Sequence, residues 1–129
     1  MRYLYKFESY DDQFDKFKSE NSELIAEIKD ILLDCEDVEI KSTFWICKYY
    51  VSKKNPVDAI RIIFQDNQNR FFRIEEIEPI LSRIKTVTEL EEFTINLDIP
   101  SEEDTEMPFE DFILEFNGEE LYRLGMFIY

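Results

Sequence analysis

The chain has no histidine. That removes the commonest general acid and base, the commonest transition-metal ligand and the usual charge switch near neutral pH. Glycine is almost as scarce. Gly118 and Gly125 are the only two in 129 residues, so no glycine-rich phosphate cradle, Walker loop or Rossmann fingerprint is present. The two cysteines, Cys35 and Cys47, lack C-x-x-C spacing, and without histidine two thiols are too few for a zinc site. They are expected to stay reduced in a cytoplasmic setting, as small buried hydrophobes. No apolar run approaches the ~20 residues of a membrane span, and the opening MRYLYKFES does not read as a secretory signal. No serine sits in a Gly-x-Ser-x-Gly elbow, and no acid cluster follows the Asp-x-Asp-x-Asp-Gly spacing that folds round calcium. The reading is a non-enzyme with no cofactor and no metal.

Positive charge is the other scarcity. The chain holds 30 acids and 15 bases, a formal charge of −15. Between Lys85 and Arg123 there is no base at all, while thirteen of the acids fall in that stretch. The remaining 17 acids and 15 bases nearly cancel, at −2. Almost the whole net charge is carried by residues 86–122.

What is present is enough for a folded core. Apolar residues make up 44 % of the chain and aromatics 16 %, with twelve Phe and seven Tyr. A disordered acidic tail would be poor in both. At this length a single domain spanning residues 1–129 is expected.

Periodicity outlines the elements. Tyr3, Tyr5 and Phe7 alternate with polar neighbours, a half-buried strand over 2–8. Ser9 with Asp12 fits a helix start. Ser19 to Ser22 either caps a second helix or decorates one long one. Leu24, Ile25, Ile28, Ile31, Leu32 and Cys35 form a core-facing helical stripe over about 22–34. Residues 39–52 are β-branched and aromatic on both faces, as in a central strand. A turn at 53–56, a strand at 59–64, a hairpin loop at 66–69 and a strand at 70–74 complete a meander. Ile77, Ile80, Leu81 and Ile84 give a short helix at about 76–85, with Pro79 acceptable only in its first turn. Phe93 to Ile99 alternates as a strand stopped by Pro100, and 101–107 is an acidic loop. Residues 108–116 fit a helix better than a hairpin about Asn117-Gly118. A hairpin would set Glu115 against Glu120 and Phe112 against Arg123, whereas Phe109, Phe112, Ile113 and Phe116 share a helical face and Gly118 suits the position past its end. Tyr122 to Ile128 is a last strand. The fold class is α+β: a mostly antiparallel or mixed sheet of about five to six strands, with about four helices packed on it.

The base-free stretch is the place to look for function. Glu102, Glu103, Asp104, Glu106, Glu110, Asp111, Glu115, Glu119 and Glu120 form an acidic rim, and Phe109 set among them offers an aromatic anchor. Anchors ringed by steering charge are how tight protein partners are captured. The expected partner is a basic protein, such as a toxin or nucleic-acid-processing enzyme. In size and charge the chain is similar to small bacterial immunity proteins that inhibit nuclease toxins. A phage-type nucleic-acid mimic blocking a restriction or CRISPR effector is the second reading. A regulatory or structural subunit whose acids only confer solubility is the third. Direct nucleic-acid binding is not expected. Arg70-Phe71-Phe72-Arg73 and Lys48-Tyr49-Tyr50 interleave bases and aromatics, but at −15 the molecule repels phosphate.

Overall fold

The computed structural model describes residues 14–52, 55–89, 92–96 and 105–129. The strand expected at 2–8, the helix start at Ser9 and the first four residues of the acidic loop expected at 101–107 lie outside these residues; the last three, 105–107, belong to a strand instead of a loop. Helix α1 is seen over residues 14–20, and α2 is Ser22–Leu32, continued by a 3-10 turn at Leu33–Val38. Then come β1 (Ile40–Ser52), β2 (Asn55–Asp66), β3 (Phe72–Arg73), α3 (Ile74–Thr88), β4 (Glu92–Asn96), β5 (Thr105–Pro108), α4 (Phe109–Phe116), β6 (Glu120–Leu121) and β7 (Arg123–Ile128). The α+β class expected of the sequence is what the chain adopts, with four α-helices among the described residues.

The strands are not gathered in one sheet. Five run in the order β1-β2-β7-β4-β5, and β3 pairs with β6 in a separate two-stranded sheet. Every pairing is antiparallel. This corrects the meander. β3 does not return beside β2; β7 takes that place, joining Ile60 opposite Ile128 through to Gln65 opposite Arg123. Among the described residues β1 is the end strand of this order and pairs with β2; the strand expected at 2–8 lies outside them, so the expectation of β1 as a central strand is not decided by these pairings. On the outward face of the sheet, aromatics pack over the far half of β1, while Trp45 stays 39 % exposed. Tyr49 lies against Phe127 with ring centroids 4.4 Å apart and against Tyr129 at 4.8 Å. The Arg61 guanidinium sits 4.1 Å from the Phe127 ring centre. Gly125 makes room for it: a Cβ there would fall 2.7 Å from Arg61 Nη2.

All the helices that enter the core pack on the other sheet face. Ile60, Ile62 and Phe64 of β2 and Leu124, Met126 and Ile128 of β7 form one cluster with α2, α3 and α4. Helix α2 inserts Ile28, Ile31 and Leu32, and Cys35 follows from the 3-10 turn, as the stripe predicts. Asn21 marks the break between α1 and α2, with φ −117° and ψ 21°. Its backbone N–H and its side-chain amide both donate to the Phe17 carbonyl, at 3.0 and 2.9 Å. Cys35 is buried, but Cys47 is only half-buried on the outward face of β1, so the expectation of two buried thiols holds for one. Burial pushes the Cys35 thiol up to about 11, outweighing its hydrogen bond with Ser42.

Helix α3 corrects a boundary. It begins at Ile74, so Pro79 lies inside the helix and not in its first turn. The start is drawn back because Ile74 and Ile77 are both fully buried and must share the face of Ile80, Leu81 and Ile84. Glu76 secures it by accepting the Arg73 backbone N–H at 2.7 Å. A proline in a helix interior costs about 3 kcal/mol, and burial of that apolar face offsets it.

Candidate protein-interaction site

Residues 109–116 are a helix, not a strand, and this decides where the acids go. Phe112 and Phe116, one turn apart with ring centroids 5.3 Å apart, point into the core. Glu110, Asp111, Leu114 and Glu115 are thereby left on the solvent side. Pro108 precedes the first helical residue instead of occupying it. Gly118 takes the left-handed conformation, with φ +79°. It turns the chain so that Glu119 and Glu120 follow on the same exposed strip.

The strip is fixed to α3 at both ends. Near the start of α4, Glu110 Oε1 accepts a hydrogen bond from Lys85 Nζ at 3.0 Å. That bond and the Lys85 charge hold the Glu110 carboxyl below the usual carboxylate range. At the other end the Gly118 N–H donates to Glu75 Oε1. Glu120 stands opposite Arg73 in the β3–β6 ladder.

The sequence-predicted residues separate into three groups. Glu102, Glu103 and Asp104 lie outside the described residues. Glu106 occupies β5, paired with Thr94, and Phe109 is the first residue of α4. Asp111 and Glu115, one turn apart on α4, and Glu119 and Glu120, just past the Gly118 turn, are all exposed; Glu110 is exposed too but is already engaged by Lys85. None of the other four is in an ion pair among the described residues.

The exposed apolar groups on this surface are ones that sequence reading missed. Leu114 is 75 % exposed, the most of any large hydrophobe described, and Phe71 is 63 % exposed. Phe71 meets Tyr122 edge-to-face at 6.1 Å, because β3 and β6 pair Phe72 with Leu121 and leave their flanking residues side by side. No local signal joins residues 71 and 122; only the two-stranded sheet does. The Phe71–Tyr122 pair therefore adjoins Glu120, and Leu114 lies within a turn of Asp111 and Glu115.

The helix places its charges unevenly. Glu110 and Asp111 sit in the first turn, where the helix dipole favours acids, but the last turn has no base and contains Glu115. An acid there opposes the dipole, and Asp111 with Glu115 is a like-charge pair at i, i+4, which is destabilising. Local stability does not account for Glu115.

No metal-binding group of three or more acidic or cysteine side chains occurs among the described residues. No described helix is long and apolar enough to cross a membrane. No protein family, curated protein or solved structure matches the chain.

Proposed function

We propose that this chain is a small acidic interaction protein that binds and inhibits a basic protein partner, in the manner of immunity proteins that block nuclease toxins. The binding surface is the outward side of α4, the turn at Asn117-Gly118, and the Phe71–Tyr122 pair. A nuclease groove is cationic because it must hold phosphate, so an acidic strip with apolar anchors competes with substrate for the same ground. No catalytic step is assigned to the chain itself.

The observation that carries this reading is Glu115. It stands in the last turn of α4 without a base, one turn from Asp111, beside the exposed Leu114. A solubilising face would disperse its acids and mix in lysines. A binding face tolerates local repulsion that a partner's bases relieve on association.

The test is retention on the immobilised protein from nuclease-treated lysate of the source organism, eluted by a salt gradient. A parallel column carries Asp111→Asn, Glu115→Gln, Glu119→Gln and Glu120→Gln together. The expected result is one basic protein held beyond ~0.5 M salt, where screening acts within a few ångströms, and lost from the second column. Its purified activity should then be inhibited by the wild-type chain. A broad set of DNA- and RNA-binding proteins released at low salt would point to nucleic-acid mimicry instead. Equal behaviour of the two columns would return the strip to a solvated surface.

A further inference from the structure

The acidic strip runs into a surface of different make-up. β3 and β6 pair Phe72 with Leu121 and Arg73 with Glu120. Phe72 and Leu121 are buried, so the exposed residues that alternate with them share the outward side: Phe71 and Arg73 on one segment, Glu120 and Tyr122 on the other. Phe71 is 63 % and Tyr122 48 % exposed, and their rings meet edge-to-face at 6.1 Å. Cross-strand packing accounts for the contact between the rings but not for the charge around them.

Four exposed acids surround the pair. Glu119 and Glu120 lead directly into Leu121 and Tyr122. Glu75 accepts the Gly118 N–H at 2.5 Å, which brings the first turn of α3 against the turn before Glu119. Glu76 accepts the Arg73 N–H at 2.7 Å. Three bases come near. Arg70 is taken up by Asp66 and Glu39, and Arg123 belongs to the five-stranded sheet, opposite Gln65. Arg73 stands opposite Glu120 in the ladder. The balance around the rings is therefore four acids against Arg73, and a cation is the complement. A ring already serves as a seat for a flat cation inside the fold, where the Arg61 guanidinium sits 4.1 Å from the Phe127 ring centre.

We infer that the Phe71–Tyr122 pair, rimmed by Glu75, Glu76, Glu119 and Glu120, is a seat for an arginine side chain of the basic partner. The guanidinium lies flat on an exposed ring face, and its N–H groups reach carboxylates at the rim. Arginine is favoured over lysine because a planar, weakly hydrated guanidinium can stack on a ring and donate hydrogen bonds in its own plane at once, whereas an ammonium is compact and strongly hydrated. Arginine is also among the side chains that dominate binding energy at protein interfaces. The inference rests on the reading of the acidic strip as a surface for a basic protein, and adds which side chain that protein presents.

The probes are a peptide of four Gly-Arg repeats and its counterpart of four Gly-Lys repeats, equal in charge. Both are titrated at low salt into the full-length chain, isotopically labelled at its amides and at its Phe and Tyr rings, and followed by NMR. The arginine peptide should shift the ring signals of Phe71 and Tyr122 and bind about threefold or more tighter than the lysine peptide, while both shift the amides of residues 111–120. Phe71→Leu with Tyr122→Leu keeps the surface apolar and should bring the two peptides to equal affinity. The wild-type comparison stands on its own if that variant does not fold. Two results overturn the inference. Equal affinity of the two peptides for the wild type, with the amides of 111–120 shifting, would leave the strip a receptor for positive charge of any shape and remove the arginine seat alone. No shift from either peptide at about 1 mM, the weak end of recognition, would remove the seat and the reading of the strip with it.

Discussion

Two stretches of this chain exclude one sign of charge. Thr86 to Tyr122 has no base, and Ile40 to Val57 has no acid. Among the described residues the fold sends them to opposite ends of the five-stranded order: β1 stands at one end, and β5, which leads into α4, at the other. They use their charge differently. In the acid-free stretch Lys48 is drawn into an ion pair with Asp58, and the aromatic neighbours pack over the sheet. In the base-free stretch, among the described residues, Glu110 reaches a base, Lys85, across 25 residues of sequence, while Asp111, Glu115, Glu119 and Glu120 face water. Where charge is structural it is paired; where it is segregated and unpaired, a partner's charge is the natural complement.

The largest way to break this contrast is to dismount α4. Phe112 is fully buried, and Phe112→Ala should cost about 3–5 kcal/mol by lost burial and the cavity left behind. Urea unfolding measures it. Partner binding should fall with it, since the acids would no longer share one surface. A Leu114→Ala change on the opposite side of the same helix should leave the unfolding midpoint nearly unmoved, which separates the mounting of the strip from its exposed side.

A second change leaves the fold alone. Phe71→Ser with Tyr122→Ser removes the exposed aromatic pair. Stability should shift little, because Phe71 is 63 % and Tyr122 48 % exposed. Partner affinity should drop by about 2 kcal/mol, roughly thirtyfold, if the pair is a binding anchor. Calorimetry on the purified complex reads this directly, and an unchanged affinity would confine the surface to its charges.

Those aromatics show where sequence reading stops. Elements defined by local periodicity were legible: the α2 stripe, the long β1 and β2 strands, and α4 against a hairpin, because like charges and Phe112 would have met badly across that ladder. Partnerships between distant residues were not. Nothing near Phe72 says that it will pair with Leu121, so β3 reads as the third strand of a meander. Pro79 misplaced the start of α3, since a local rule for proline was outweighed by the burial of Ile74 and Ile77. For the site, the acidic character of the strip was legible from composition, but the capture of Glu110 by Lys85 and the exposure of Leu114 depend on how α4 lies against α3.

A smaller and opposite effect sharpens the contrast further. Glu115→Gln removes an acid from the last turn of α4 and its repulsion with Asp111. It should stabilise the fold by about 0.3–1 kcal/mol, seen as a raised urea midpoint at unchanged slope. The same variant should associate more slowly with a basic partner and show a weaker salt dependence of the on-rate. Greater stability with poorer binding is the signature of a residue kept for a partner. If the variant is instead less stable, Glu115 has a structural role that the unpaired geometry does not explain.

The smallest predicted effect concerns the one buried acid among the described residues, in the turn that follows β2. Asp66 is only 7 % exposed and stands opposite Ile40 where β1 begins. Its Oδ1 accepts the Gln68 N–H at 2.8 Å, and the Arg70 N–H and Nε–H at 3.3 and 3.2 Å. The Gln68 N–H is the main reason its carboxyl lies below the ordinary aspartate value of 3.8, with Arg70 adding to it against the cost of burial. A carboxyl lowered by folding stabilises the native state above its unfolded pKa, and that contribution disappears as the pH falls through the folded value. The stability difference between wild type and Asp66→Asn should therefore be constant near neutrality. It should begin to shrink as the pH drops past 3.8 and close at still lower pH. Thermal midpoints of both proteins across that range measure it. The strip carboxylates protonate over an overlapping interval, relieving repulsion in both proteins alike, so the difference between the two curves isolates Asp66. A gap that persists unchanged into strong acid would mean that the turn is held by shape and not by the carboxylate, and that the paired charge in this turn is as dispensable to folding as the unpaired charge of the strip.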